Sequence, residues 1–506
     1  MLDRRHFLGT GGLLLAGLSS GCATMPHQPA STAPVDNLIT GLQERTFRFF
    51  WDTTDPANGL APDRWPTPSF ASIAAVGFAL TAYPIGVAHG WITREQARQR
   101  TLATLTFFAN APQGKDPTGF SGYKGFFYHF LGTTKGQRFA RSELSTIDTA
   151  LLLAGVLFAQ SWFDGEHPEE ARIRRLADQL YGAVEWDWIT PRAPFVAMGW
   201  HPETGFIPSD WNIYNESLIL YILALGSPTH PLPPDTWAKW TARFDPSWDT
   251  STIDNYFTGF APLFGHQYSQ IWIDFRGMVD DYSKRRGITY FENSKRATYA
   301  QQRYAIANAG KFAGYGADVW GLTACDGPGD FKRTIGGTPY EFFSYSARGP
   351  GDRDDGTIAP TAALGSIAFA PGTPYEFFSY SARGPGDRDD GTIAPTAALG
   401  SIAFAPEIVV PTAQAMVARY GRAIYGKYGF LDAFNPTLTD PAAPLLHGQI
   451  VPGIGWVDKD YLGIDQGPIV AMIENWRSGM IWRTMRRNPH IRRGLERAGF
   501  TGGWLA

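Results

Sequence analysis

The stretch SFASIAAVGFALTAYPIGVAH, residues 69–89, carries apolar side chains at nearly every position. A helix that is apolar all round has to be buried on most sides, so we expect this one to lie inside the protein. The segment before it is different, because Leu38, Leu42, Phe49 and Phe50 recur at helical spacing on one face only. That pattern predicts an amphipathic helix.

Helices of these two kinds continue along the chain. Thr93 and Gln96 form a capping box that opens a helix to about Phe108, and similar segments follow near residues 145–163, 167–187, 214–226, 266–286, 291–311, 409–425, 465–479 and 483–498. Sustained strand alternation is scarce. About a dozen helices, some nearly all apolar and others amphipathic, predict an all-α fold of two concentric layers, the (α/α)6 toroid of paired helices. An irregular helical bundle is the alternative. No low-complexity linker divides the chain, which favours one domain over residues 36–506.

Composition narrows the range of partners. The net charge of −3 over 506 residues gives no reason to expect nucleic acid or an acidic membrane surface. Aromatic residues make up 14% of the chain, with 17 Trp and 21 Tyr, which suits either the CH faces and hydroxyls of sugars or a large aromatic core.

Residues 1–30 are typical of an export signal. Arg4 and Arg5 precede an apolar run, ending at Leu18, that is too short to span a membrane as a mature helix. The arginine pair resembles a twin-arginine signal. Cys22 closes an approximate lipoprotein cleavage box, so we expect a periplasmic protein anchored through a lipid on Cys22; cleavage without lipidation is the alternative. The only other cysteine is Cys325, which rules out a disulfide framework in the mature chain.

An exact duplication interrupts the second half of the chain. Residues 337–371, GTPYEFFSYSARGPGDRDDGTIAPTAALGSIAFAP, are followed by an unchanged copy at residues 372–406. Structural repeats diverge in sequence and need several copies to cover a core. Two identical copies therefore indicate a recent tandem duplication or an assembly error, and we expect one copy to be dispensable because a toroid has one place for this segment.

Carboxylates are the best candidates for catalysis. The chain has no His-Glu-x-x-His, no Cys-x-x-Cys and no phosphate-binding loop, whereas paired carboxylates suit glycoside hydrolysis. Glu216 stands where a polar loop turns into an apolar helix, and burial there would raise its pKa and favour a general acid. Asp465 precedes another buried helix late in the chain and is the favoured base. Glu143, Asp148 and Asp432 are the reserve candidates, with helix capping as the alternative role for the first two.

Side chains suited to bind sugars cluster around these carboxylates. They are amides, hydroxyls, aromatic rings and charged groups on loops and helix starts, for which capping and core packing are the alternatives. The candidates are Asp63, Arg64, Trp211, Tyr214, Asn215, His266, Gln267, Ser269, Gln270, Trp320, Thr323, Asp326 and Trp476, with Tyr345 and Arg348 in one copy of the duplication and Tyr380 and Arg383 in the other.

Several of these clusters, taken in order, resemble the bacterial glycoamylase-like domain and, within it, glycoside hydrolase family 144. The motifs that carry the resemblance are FFWDTTDPANGLAPDRW, ARSELSTIDTALLLAG, GWHPETGFIPSDWNIYNESLILYILALG, FGHQYSQIWIDFRG, YGADVWGLTACDGP, DDGTIAPTAALGSIAFAPE, YGFLDAFNPT and IDQGPIVAMIENWRSGMIW. The resemblance covers residues 40–480. It implies an (α/α)6 barrel and inverting, water-mediated hydrolysis of linear β-1,2-glucan to short sophoro-oligosaccharides, without a metal or other cofactor.

Two other functions stay open from the residues alone. A toroid polysaccharide lyase would use Tyr and His on uronates and should carry a more basic cleft, whereas the clustered groups here are carboxylates and amides. A non-catalytic glycan-binding lipoprotein would keep the aromatic residues and lose the acids, yet Glu216 and Asp465 are both present.

Overall fold

The computed structural model describes residues 33–249, 257–344 and 389–506. The predicted export signal with Cys22 and the binding candidates Tyr345, Arg348, Tyr380 and Arg383 lie outside the described residues. The helices are α1 (Ala33–Thr53), α2 (Ile73–Ala88), α3 (Arg94–Asn110), α4 (Thr146–Trp162), α5 (Pro168–Gly182), α6 (Leu218–Gly226), α7 (Thr236–Thr241), α8 (Phe264–Trp272), α9 (Asp281–Arg286), α10 (Tyr290–Ala307), α11 (Pro395–Leu399), α12 (Pro406–Tyr420), α13 (Gly463–Arg477), α14 (Met480–Met485) and α15 (Pro489–Arg497).

An inner ring of helices forms the centre of the molecule. Helices α2, α4, α6 and α8 pack one after another, and α11 packs on α13, which returns to α2. The amide of Gln267 on α8 joins the remaining neighbours, because it donates to the carbonyl of Ala397 on α11 at 2.8 Å. Every residue of α6 and α8 is buried. The prediction that residues 69–89 form a helix inside the protein is confirmed by α2, in which 14 of the 16 residues are buried.

Amphipathic helices surround this ring. Helices α1 and α3 flank α2, α5 covers α4, α15 covers α6, α10 covers α8 and α12 covers α11. The outer helix α5 shows the expected division, since Ile173, Ala177 and Leu180 are buried while Arg172 and Arg175 on other faces of the helix are exposed. Apolar side chains are therefore buried between the two layers as well as within the ring. No helix within the described ranges combines the length and the apolar character that crossing a membrane requires.

Two glycines set the distance between α2 and α4. A Cβ atom on Gly155 would lie 2.2 Å from the carbonyl oxygen of Gly77, and one on Gly77 would lie 2.3 Å from the carbonyl oxygen of Leu151. Only hydrogen fits at these positions, so the two helix backbones touch where they cross.

Short strands connect the helices. They are β1 (Arg64–Trp65), β2 (Ala71–Ser72), β3 (Gly122–Tyr123), β4 (Phe126–Phe127), β5 (Phe130–Leu131), β6 (Leu144–Ser145), β7 (Gly199–His201), β8 (Gly205–Phe206), β9 (Trp248–Asp249), β10 (Phe257–Thr258), β11 (Met278–Val279), β12 (Phe331–Ile335), β13 (Thr338–Phe342), β14 (Tyr425–Gly426), β15 (Gly429–Phe430), β16 (Phe434–Asn435), β17 (Gln449–Val451), β18 (Gly455–Val457), β19 (Tyr461–Leu462) and β20 (Thr501–Gly502). The pairs that these described strands form with one another are antiparallel. In one of them β1 pairs with β19, with Arg64 opposite Leu462, so a strand before α2 is joined to a strand before α13.

Two of the predicted helices are each divided in two. The segment predicted as one helix over 266–286 is α8 and α9, because Asp280 caps a new helix by accepting from the amide of Ser283 at 2.8 Å. The segment 483–498 falls into α14 and α15, because the side chain of Asn488 caps α15 just before Pro489. The helix predicted from residue 214 begins only at Leu218, since Asn215 accepts from the amide of Ser217 in a turn.

Parts of both duplicated copies are among the described residues. Gly337–Ser344 belong to the first copy and Asp389–Pro406 to the second. The amide of Phe343 lies 3.2 Å from a carboxylate oxygen of Asp390, so the two parts meet. Together they supply β13, α11 and the start of α12 once each.

Candidate active site

Buried acidic side chains collect where the inner helices begin. Ser72 and Ser145 cap α2 and α4 with their side chains. Glu216 stands just before Ser217, the residue that precedes α6, and Asp465 lies in the first turn of α13. The acid and base candidates of the sequence are thus both at the N-terminal end of the ring.

One group, here called the Arg64 cluster, consists of Arg64, Asp326, Asp432, Asp458 and Asp465. The guanidinium of Arg64 donates to Asp326 at 2.7 Å, and the backbone amide of Asp326 donates to the carboxylate of Asp432 at 2.7 Å. All five side chains are at least 97% buried. The pairing of β1 with β19 and the connection after β15 bring these distant parts of the chain together.

Burial keeps protons on this cluster. It raises the pKa of Asp465 to about 8, and it raises the pKa of Asp432 well above its ordinary value, where the charges of Asp465 and Asp326 add to the effect. Asp432 and Asp465 share a hydrogen bond, which two carboxyl groups can make only when one of them is protonated. The pKa of Asp458 is also well above its ordinary value, because of burial and the nearby charges of Asp326 and Asp432. This shared hydrogen bond lowers the pKa of Asp465 and raises that of Asp432, so it favours Asp465 as the ionised member of the pair.

A second group, the His129 cluster, consists of His129, Glu143 and Asp148. Nδ1 of His129 lies 2.9 Å from Glu143 and its Nε2 lies 3.7 Å from Asp148. Burial alone would lower the pKa of His129, but the charges of Asp148 and Glu143 outweigh it and raise the pKa to about 9. Burial raises the pKa of Asp148 as well, although His129 acts against it. The cluster is an imidazolium held between two carboxylates.

Glu216 and Asp63 connect the two groups. Burial raises the pKa of Glu216 to about 8, with a further contribution from the charge of Asp148. The charge of Asp63 helps to raise the pKa of both His129 and Asp465, so this side chain lies between the two clusters. At neutral pH Glu216 is a buried carboxylic acid able to donate a proton.

Several of these carboxyl groups have an oxygen without a hydrogen-bond partner in the protein. They are Asp148 Oδ1, Glu216 Oε2 and Asp458 Oδ2, together with Asp432 Oδ1 and Asp465 Oδ2, which have no partner other than the hydrogen bond that these two carboxyl groups share. Buried polar atoms are rarely left unpaired. This concentration of unpaired oxygens at one end of the ring is suited to water or to the hydroxyl groups of a ligand.

The Arg64 cluster also has the donor set of a hard cation. Asp326, Asp432 and Asp458 offer oxygens that lie within 4.8 Å of one another, a ligand type that divalent cations accept. Arg64 already pairs with Asp326, and the proton that Asp432 and Asp465 share removes further negative charge from the cluster. His129, Glu143 and Asp148 satisfy the same spacing, but both ring nitrogens of His129 face carboxylates.

The structure brings together all five predicted catalytic residues and the binding candidates Asp63, Arg64 and Asp326. Other binding candidates hold neighbouring segments together. Trp211 donates to Thr146, Tyr214 to His266, Gln267 to Ala397, Ser269 to the carbonyl of Glu216 and Gln270 to the carbonyl of Tyr290, while Asn215 and Thr323 accept backbone amides. Trp320 is fully buried, and Trp476 is 36% exposed near the C-terminal end of α13, away from the carboxylates.

Sequence reasoning missed His129, Asp458 and Asp460. Asp460 accepts a hydrogen bond from the amide of Thr67 at 2.9 Å, and its negative charge helps to raise the pKa of Asp458. Asp458 and Asp460 precede the candidate Asp465 by only a few residues, in WVDKDYLGID, and this acidic spacing could have pointed to them. His129 stands alone among aromatic residues, in FFYHFLG, and no local signal distinguishes it.

Comparison with known proteins identifies the family of this chain. The family model for glycoamylase, described as putative glucoamylase, matches residues 208–379 and 371–489. An exo-β-1,2-glucooligosaccharide sophorohydrolase (non-reducing end) of Parabacteroides distasonis is 27% identical, in an alignment that covers 92% of this chain and 59% of that protein. This chain thus spans about three fifths of the length of that relative.

Solved structures show the same likeness. A putative glucoamylase from Bacteroides uniformis is 30% identical, with a TM-score of 0.69 over 93% of this chain and 99% of that one. An endo-β-1,2-glucanase from Chitinophaga pinensis, in complex with sophorotriose and glucose, is 26% identical, with a TM-score of 0.71 over the same shares of the two chains. By its helical architecture and by these matches, the chain belongs to the glycoamylase-like family.

Proposed function

We propose that this protein is a glycoside hydrolase that cleaves β-1,2-glucan to sophoro-oligosaccharides with inversion. The observation that carries the proposal is Glu216, a buried carboxyl group that keeps its proton at neutral pH and has an unpaired oxygen, in the same acidic site as the Asp432–Asp465 pair. The names of the relatives from Parabacteroides distasonis and Chitinophaga pinensis supply the substrate class.

The roles follow from the form, protonated or ionised, that burial and hydrogen bonding favour at each carboxyl group. Glu216 donates its proton to the glycosidic oxygen as the bond breaks. Asp465, whose ionised form is favoured by its hydrogen bond with Asp432, accepts a proton from the water that attacks the opposite face of the sugar. Asp432 then serves to hold Asp465 in place through their shared hydrogen bond, and Arg64 limits the negative charge of the cluster.

The test is the rate of reducing-end release from purified β-1,2-glucan. Glu216→Gln and Asp465→Asn keep the shape of each side chain and remove the titrating group, so each should lower the rate by roughly 10²–10⁴. Glu170→Gln is a matched control, because Glu170 is buried on α5 and its partner is Arg94, outside the two clusters. The control should lower the melting temperature without a comparable loss of rate. Near-normal turnover in either test variant would remove that residue from the mechanism.

The same assay separates the other functions. A lyase would give products that absorb at the wavelength of the new double bond, and a binding protein would retain glucan without releasing reducing ends. Neither outcome is expected, because the acidic groups at the N-terminal end of the ring suit water-mediated hydrolysis.

Two further parts of the proposal concern architecture and location. We propose that α2, α4, α6, α8, α11 and α13 are the six inner helices of an (α/α)6 toroid, and the packing order around the ring supports this assignment. We also propose that the mature protein is periplasmic and anchored through Cys22, on the support of the Arg4–Arg5 signal. Cys22→Ser should move the protein from the membrane fraction to the periplasmic fraction, and unchanged fractionation would exclude the anchor.

A further inference from the structure

A histidine outside the two clusters has a buried ring nitrogen that no hydrogen bond satisfies. His447 lies in the connection between β16 and β17, in the segment LLHG. Its Nε2 is buried and has no hydrogen-bond partner in the part of the chain that the structure describes. Buried polar atoms are rarely left unpaired, and none of the roles proposed above uses this nitrogen. The residue as a whole is only half-buried, so a ligand can reach it.

The residue before His447 contacts the turn that carries Asp326. The backbone amide of Leu446 donates to the carbonyl of Pro328 at 2.7 Å, and Pro328 follows Asp326 by two positions. Gly329 packs against the same residue, because a Cβ on Gly329 would lie 3.2 Å from the amide nitrogen of Leu446. The turn with Asp326 and the segment with His447 are thus in direct contact.

The residues after His447 lead to Asp458. Gln449 of β17 pairs with Val457 of β18, and Asp458 is the residue that follows Val457. A Cβ on Gly448 would lie only 2.4 Å from the carbonyl oxygen of Val457, so the two segments run side by side up to His447. His447 therefore lies between two of the acidic segments of the site.

The protein's own contacts hold this connection in place. The indole of Trp456, which is fully buried, donates to the backbone carbonyl of His447 at 2.7 Å. Gly448 has a φ of +68°, a conformation that favours glycine, and a Cβ there would also lie 2.6 Å from the same indole nitrogen. A ligand that uses His447 would not have to order this loop, which lowers the cost of binding.

The ring of His447 is suited to a sugar hydroxyl. Burial lowers the pKa of His447, although the charge of Asp326 acts against this effect. The ring is therefore neutral at pH 7, with one nitrogen that donates and one that accepts. A hydroxyl group can do both, so it can pair with Nε2 in either tautomer. An anionic ligand, in contrast, would meet the negative charge of the neighbouring aspartates.

An exposed apolar side chain stands beside this ring. Leu446 is 54% exposed, and it is one of three large apolar side chains that are exposed in the described ranges. Its backbone is held by the contact with Pro328, so the side chain is presented at a fixed place. An apolar group next to a polar nitrogen matches a sugar ring, which offers CH groups and hydroxyls together.

We propose that His447 binds a hydroxyl group of a glucose unit of the glucan through Nε2, beside Asp326 and Asp458, and that Leu446 packs against the CH face of the same unit. This inference rests on the proposed function, which supplies the substrate. His447 is a binding residue and takes no part in proton transfer. Because its nitrogen has no partner among the described residues, His447 should matter for affinity and not for stability.

The first test measures binding without turnover. Titration calorimetry with linear β-1,2-glucan, in the Glu216→Gln background, compares the parent with His447→Leu and His447→Gln. Leucine fills the space without a polar atom, so the dissociation constant should rise by about 3- to 10-fold, the loss of one hydrogen bond. Glutamine carries a donor and an acceptor and should stay within about twofold of the parent. Equal affinity of the leucine variant and the parent would overturn the proposal.

The second test is thermal unfolding of His447→Leu without glucan. Replacing a buried atom that has no partner by an apolar group costs no internal hydrogen bond, so the melting temperature should be unchanged or higher. A fall of several degrees would show that His447 supports the fold, and the proposal would then be wrong.

Steady-state kinetics separates binding from proton transfer. In His447→Leu the KM on β-1,2-glucan should rise by about 3- to 10-fold while kcat stays within about twofold, because the hydrogen bond is made equally in the ground state and the transition state. The pH dependence of kcat should keep its shape. A loss confined to kcat would place His447 in the chemical step and refute a binding role.

A matched control is His230→Leu. His230 follows the C-terminal end of α6, at the opposite end of the ring from the carboxylates, and its Nδ1 lies 3.2 Å from Asp187. This change should alter neither the affinity nor the KM. Similar losses in His230→Leu and His447→Leu would show that the effect does not depend on the place of the histidine, and the inference would fail.

The outcomes for the inference and for the proposed function are distinct. A protein that binds glucan through His447 but releases no reducing ends contradicts the proposed function alone. A protein that hydrolyses glucan, with the same affinity and KM in His447→Leu as in the parent, contradicts the inference alone. A protein that binds no β-1,2-glucan contradicts both.

Discussion

Replacing Gly155 with alanine tests the contact on which the inner ring depends. The added Cβ would lie 2.2 Å from the carbonyl oxygen of Gly77 and 2.8 Å from its carbonyl carbon and Cα. These are backbone atoms of a neighbouring buried helix, so no side chain can rotate away. To restore an ordinary contact, α2 and α4 must move apart by about 1 Å, which forfeits a quarter to a half of the dispersion energy of the atoms along the interface.

The expected cost exceeds the gain in helix propensity. Overpacking of this kind costs about 3 kcal/mol when backbones have to shift, whereas Gly→Ala within a helix contributes about 1 kcal/mol. The net loss in the free energy of unfolding should therefore be about 2 kcal/mol. The same movement would displace Asp148 at the N-terminal end of α4, so the hydrolytic rate should fall as well.

Urea unfolding followed by tryptophan fluorescence measures the loss directly. Gly41→Ala is the control, since Gly41 lies within α1 and a Cβ there meets nothing within 4 Å. That change should stabilise the protein by up to about 1 kcal/mol. The two alanines should thus act with opposite sign. If Gly155→Ala is as stable as the parent, the close crossing of α2 and α4 does not exist as described.

Two further predictions concern the duplication and the response to pH. Deleting residues 372–406 leaves the same sequence as deleting residues 354–388, and the second deletion removes no described residue. The shortened chain should keep its melting temperature and turnover, because Phe343 and Asp390 already meet at 3.2 Å. A large drop in melting temperature would refute this prediction. Folding raises the pKa of His129 to about 9 and the pKa values of Glu216 and Asp465 to about 8. The stability that each group contributes is complete at a pH below its pKa in the unfolded chain, and it is lost as the pH rises through its pKa in the folded protein. The free energy of unfolding should therefore fall between about pH 5 and pH 9, with a shallower slope in Glu216→Gln, and a stability that rises over this range would contradict the assignment.

Local signals in the sequence predicted most of the fold. The capping box of Thr93 and Gln96 is present, with the amide of Gln96 donating to Thr93 at 3.1 Å, because its hydrogen bonds lie within four residues. The two divided helices are divided at local caps, Asp280 with Ser283 and Asn488 before Pro489, which the helical spacing of each segment masked. Asp280, which begins α9, accepts from the indole of Trp237 at 2.7 Å, and no pattern within 266–286 reveals that partner.

The site was partly predictable for the same reason. Glu216 and Asp465 stand at junctions between polar loops and apolar helices, which a sequence displays. The role of His129 depends on Glu143 and Asp148, which follow it by 14 and 19 positions and face it only after the loops fold. Gln270, in contrast, has the residue type of a sugar ligand, but its amide donates to Tyr290 and Ser294 between two helices.

The pairing of β1 with β19 has a consequence for how the molecule is made. The side-chain amide of Gln43 donates to the carboxylate of Glu474, 431 positions later in the chain. The charge of Asp63 likewise helps to raise the pKa of Asp465, which is a similar number of positions away. Contacts so far apart in sequence form late, after the costly closure of a very long loop. A chain emerging from the ribosome must therefore hold α2 and α4 with their apolar faces uncovered until α13 is synthesised, a period in which such surfaces aggregate. Because the Arg64 cluster contains residues from both ends of this closure, the proposed hydrolytic activity should begin in a single step when the last inner helix docks.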